Sequence, residues 1–159
     1  MSTDVQTETM LDEGPVALRT PLYPLIAVVG VVIFVSVFLP WAGVNGASNS
    51  ISGLDAGGWG LGAMVAGIAI AVLGVLGYFW NPFSDPEAAF IAGFALLAAL
   101  AAITKIADPA SLFPAAADFD APEVGARVGL WIILLGSAAS LASALWILVS
   151  RPKAAARLT

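Results

Sequence analysis

The sequence predicts an all-α membrane protein, a four-helix up-and-down transmembrane bundle. Hydrophobic residues make up 60% of the 159 residues and charged residues 11%. The mean hydropathy is +0.95, and four apolar stretches of membrane-spanning length recur along the chain. A soluble domain of this size has too little interior to hide that much apolar surface. The expected spans are residues 22–41, 61–80, 88–106 and 128–150, within a membrane domain of residues 21–151. An acidic arm of residues 1–20 precedes it, and a basic tail of residues 152–159 follows.

The arm carries Asp4, Glu8, Asp12 and Glu13, and Pro15, Pro21 and Pro24 lead into the first apolar run. Low hydrophobicity with proline predicts an arm without a core of its own. The run that follows, LYPLIAVVGVVIFVSVFLPW, has no charge. A cleaved signal would have a basic leader and a shorter apolar core, so a retained first helix is expected. Pro40 and Trp41 are expected to end it at an interface, with the indole ring in the headgroup zone and its N–H wet.

Six glycines between Gly43 and Gly60, with Asp55 as the sole charge, predict tight turns in the first long connection. The glycine spacing fits neither phosphate-binding motif, and no lysine is present to complete one. The second span is the expected central packing helix. Gly62, Ala66, Ile70 and Gly74 recur every four residues, with Ala63, Gly67 and Ala71 as a second row. Rows of small residues let helix backbones approach where lipid removes the hydrophobic drive.

The turn NPFSDPE places Asp85 as a helix cap, Pro86 at the first helical position and Glu87 in the first turn of the third helix. That helix is rich in Ala and Gly, and its one charge within residues 88–106 is Lys105, a turn from its end. There a lysine can snorkel, pair with Asp108 or a partner's carboxylate, or take part in transport. The next connection holds Asp108, Asp118, Asp120 and Glu123, too evenly spread for an EF-hand loop, with Phe113 and Phe119 expected against the bilayer surface or a neighbour. In the fourth span Gly136, Ser140 and Ala144 form another small-residue row, with Ser143 beside it.

Five tryptophans, Trp41, Trp59, Trp80, Trp131 and Trp146, each fall near a span end and read as interface anchors. Arg19, Arg151, Lys153 and Arg157 flank the first and last spans, so an even number of crossings predicts both termini in the cytoplasm of the plasma (inner) membrane. Lys105 and Arg127 are then outside.

With no cysteine and no histidine, the chain can form no disulfide, thiolate–metal site or imidazole ligand. The spans carry no acid near their middles, where a proton- or cation-coupled carrier normally needs one. No clustered Lys and Arg mark a nucleic-acid footprint. No catalytic, cofactor-binding or metal residue is therefore assigned, and no enzymatic activity is expected. Expected partners are membrane lipid and a larger integral membrane complex.

Phe38-Leu39-Pro40-Trp41 at a span end, Ser52-Gly53-Leu54 and Gly57-Gly58-Trp59-Gly60 in a Gly-rich outer loop, and three further Ala- and Gly-rich spans resemble small four-span proteins of actinobacteria. Some proteins of that appearance are accessory subunits of respiratory assemblies such as the actinobacterial cytochrome bcc–oxidase supercomplex. The resemblance implies a non-catalytic accessory or scaffold subunit and transfers no catalytic residue. Two other readings stay open. One is a small oligomeric transporter or channel with Lys105, Ser140 and Ser143 along its path; the other is a membrane sensor binding through its outer loops.

Overall fold

The protein was analysed as a computed structural model that describes residues 22–45, 48–79, 85–113 and 124–150. Within them the chain is mostly helical: α1 (Leu22–Ser36), α2 (Gly58–Phe79), α3 (Asp85–Ala107) and α4 (Val128–Val149). Three of these, α2, α3 and α4, are long and apolar enough to cross a membrane. The 15 described residues of α1 span about 22 Å at 1.5 Å per residue, against a hydrocarbon core of about 30 Å. The acidic arm, the basic tail, Trp80, Phe119 and the acids Asp118, Asp120 and Glu123 lie outside the described residues.

Each helix packs on its sequence neighbours, and α4 closes the ring against α1. The α1–α2 contact is the closest, and its register is antiparallel: Ala27 lies against Gly74, Gly30 against Ala71, and Phe34 against Gly67. The interior divides along the bundle axis. One cluster gathers Tyr23, Ile26, Ile33, Ile70, Ile91 and Ile147; the other gathers Val37, Trp41, Ala98, Ala102, Leu130 and Ile133 at the opposite end. On α3 the buried positions Ala88, Ile91, Ala95, Ala98 and Ala102 follow three- and four-residue steps, one stripe of a helix.

Two expectations need correction. The first helix does not run to residue 41; it stops at Ser36. Pro40 explains the stop, because in a continuing helix its ring would clash with the carbonyl four residues back, that of Ser36. That carbonyl is instead capped from two sides, by the backbone N–H of Leu39 at 3.2 Å and the indole N–H of Trp41 at 3.1 Å.

The connection after it is not made of turns alone. It supplies two strands of a small antiparallel sheet, β1 (Pro40–Val44) and β2 (Ser50–Ser52). A third strand, β3 (Val124–Ala126), arrives from the connection before α4, and β1 lies between the other two. Ala42 pairs with Ile51 on one side and with Ala126 on the other. Residues 53–57 make the expected turn, ending at Gly57, whose φ of +64° suits glycine and starts α2. In Asp108–Gly125, a short 3-10 helix (Pro109–Leu112) follows α3, and Asp108 caps it by accepting from Ser111 N.

Candidate interaction surface

The expected packing residues do not all pack. At Gly67 and Gly74 a Cβ would come within 2.7 Å of Phe34 N and 2.5 Å of Ala27 N, so both are held by the α1 backbone. Backbones that close exclude any side chain, which is how small residues build helix contacts in lipid. Gly30 on α1 completes this contact by lying against the Ala71 backbone. Sequence reasoning passed it over, although a lone glycine in the middle of an apolar span was the available signal. Gly136 packs α4 on α1, where a Cβ would stand 2.9 Å from Ile33 Cγ1. Ala66 is buried between α2 and its neighbours.

Gly62 is the exception. It is exposed, and a Cβ there would meet nothing within 4 Å. The buried stripe of α2 runs through Ala63, Ala66, Gly67, Ile70 and Gly74, so Gly62 falls beside that stripe and faces outward. Gly93 on α3 is open in the same way.

Ser140 is buried as a packing residue, and Ser137, one turn before it, is buried with it. Neither hydroxyl has a hydrogen-bond partner among the described residues, whereas Ser143 donates to the Ala139 carbonyl at 2.8 Å.

The tryptophans separate into two kinds. Trp41 is not at a wet interface; it is fully buried, with its N–H on the Ser36 carbonyl. Gly129 of α4 and Gly53 of the turn pack directly on its ring. The physical reason is the early end of α1: the chain turns inward at Pro40, and β1 carries the indole under the sheet. Trp59, Trp131 and Trp146 are about half exposed, near the start of α2, the start of α4 and the end of α4.

Polar groups collect at the sheet end. Arg127 lies over Gly43, its Nη2 donates to the Val44 carbonyl at 3.1 Å, and its backbone N–H donates to the Trp41 carbonyl at 2.8 Å. Its Nε is buried without a partner among the described residues. Asp55 accepts from the Ser52 hydroxyl at 2.7 Å and closes the turn before α2. Arg127→Leu removes the side-chain tie from α4's N-terminus to the Val44 carbonyl of β1 and keeps the backbone one, so it is expected to lower stability by about 1–3 kcal/mol; a thermal melt in detergent measures it.

Lys105 does not pair with Asp108. Its ammonium donates to the Ser111 hydroxyl at 2.9 Å and stands 5.5 Å from the centre of the Trp59 ring. The Ser111 hydroxyl in turn donates to the Asp108 backbone carbonyl at 2.8 Å. Asp108 therefore serves Lys105 indirectly, by capping the 3-10 helix that presents Ser111.

The outer surface of the bundle is apolar and grooved. Between α1 and α2 a groove of about 440 Å³ has Ala27 and Ala71 together with Val28, Val31, Val72 and Val75 in its lining. A second groove, of about 490 Å³, runs between α2 and α3 from Trp59 and Ala101 to Ala66 and Phe94. No family model, no curated protein and no solved structure matches this chain.

Proposed function

We propose that the chain is a non-catalytic accessory or scaffold subunit that packs on a larger integral membrane complex, of the respiratory cytochrome oxidase kind. In this reading all four helices cross the plasma membrane, with both termini in the cytoplasm. Four of the six basic residues then lie inside, at Arg19, Arg151, Lys153 and Arg157, and the sheet with Lys105 and Arg127 lies outside.

The groove between α1 and α2 supports this reading. Its valines are stiff at χ1, so a partner helix seated there orders few side chains on docking.

The test is purification of the tagged full chain in mild detergent, with mass spectrometry and an optical spectrum of what accompanies it. The expected result is stoichiometric oxidase subunits with haem bands, lost on Val72→Trp, which fills the groove from an exposed position. A colourless, partner-free monomer would overturn the reading. One observation favours the transporter or channel alternative: the buried hydroxyls of Ser137 and Ser140, which have no hydrogen-bond partner among the described residues. A flux into proteoliposomes that falls on Ser140→Ala would establish it.

A further inference from the structure

We propose that the groove between α2 and α3 is a binding site for one anionic glycerophospholipid, its phosphate on Lys105 and an acyl chain between the two helices. Geometry and charge converge here. The groove begins at Trp59 and Ala101, and Lys105 stands one helical turn beyond Ala101 on α3. From Trp59 to Ala66 the groove descends seven residues, about 10 Å at 1.5 Å per residue, within the depth of a single leaflet. Its lower part is apolar, through Val65, Phe94 and Leu97, and Gly62 leaves its side open.

The cation at the mouth is held in place. A lysine free to snorkel would sample many rotamers, whereas this one is fixed by the Ser111 hydroxyl and the Trp59 ring. Of its three donors one goes to Ser111, and the other two, with no hydrogen-bond partner among the described residues, can meet phosphate oxygens. Trp59, half exposed beside it, offers an indole at headgroup level. Neither groove has a charged residue in its lining; what sets the α2–α3 groove apart is Lys105, which stands over its Trp59.

The experiment is native mass spectrometry of the delipidated full chain, titrated in parallel with dioleoyl phosphatidylglycerol and dioleoyl phosphatidylcholine. The wild-type protein is expected to prefer phosphatidylglycerol by about fivefold, the preference one lysine near an anionic headgroup confers. Lys105→Gln should bring the two lipids to parity, and Lys105→Arg should keep the preference. Gly62→Leu, at a position with room for a side chain, should weaken both lipids together by filling the groove. An unchanged preference in Lys105→Gln, or unchanged retention in Gly62→Leu, would overturn the proposal. Displacement of the lipid by millimolar inorganic phosphate would also overturn it, since it would mean an anion site without a chain site. Helicity and elution volume are measured for each variant, and Gly62→Leu decides the matter if Lys105→Gln does not fold.

Discussion

Gly74→Leu is expected to separate α1 from α2 and to destabilise the protein by about 3 kcal/mol or more, the upper end of overpacking costs. The reason is what the new side chain would meet. At Gly74 the nearest atom is the backbone N of Ala27, and at Gly67 it is the backbone N of Phe34, neither of which can rotate away. Because the contact repeats through Gly30, Gly67 and Gly74 in one antiparallel register, a clash at one level lifts the others apart. At roughly 2–4 °C per kcal/mol for a chain of this size, the midpoint of a detergent melt should fall by about 6–12 °C. Gly62→Leu is the matched control: same helix, same substitution, open space, and no shift beyond about 0.5 kcal/mol. Equal melts for the two variants would mean that the α1–α2 contact does not hold the bundle.

Trp41→Ala is the second large effect, expected to cost about 3–5 kcal/mol, the range for removing a large buried aromatic ring. The indole is enclosed by Gly53 and Gly129, and it caps the last turn of α1 through the Ser36 carbonyl. Its loss opens a cavity where α1, α4 and the sheet meet. Trp41→Phe keeps most of the packing and loses the hydrogen bond, so about 1 kcal/mol of further loss is assigned to that bond. Trp131→Ala and Trp146→Ala remove half-exposed rings and should shift the melt far less. A melt equally sensitive to all three tryptophans would contradict the division into one core residue and surface ones.

Length and hydropathy were enough to read the helical character, because a run of about 20 apolar residues has few other uses. The three long helices fall within a few residues of the expected spans. What stayed hidden was direction around each helix. Gly62, Gly67 and Gly74 look alike in a row of small residues, and only the burial stripe separates an outward glycine from two inward ones. Trp41 escapes for a related reason: a tryptophan after an apolar run fits an interface belt, whereas the Pro40 clash ends α1 four residues back and turns the indole inward. The sheet was illegible because β3 has three residues and its partner lies about 80 positions away. Lys105 lies in the last turn of α3, but its hold on Ser111 depends on a 3-10 turn that composition does not announce.

The central place of β1 in the sheet also sets an order of assembly. Its pairing with β2 is local and can form as soon as residue 52 has been made. The edge that faces β3 stays unpaired until Val124–Ala126 emerge, an interval of roughly 4–16 s at ordinary rates of synthesis. During that interval α1 and α2 can lock through their glycines, but Trp41 lacks the Gly129 wall supplied by α4. The segment from β3 into α4 thus acts as a latch: its arrival seals an open strand edge and an exposed indole together. A nascent chain halted before it would present both to whatever binds unpaired strands.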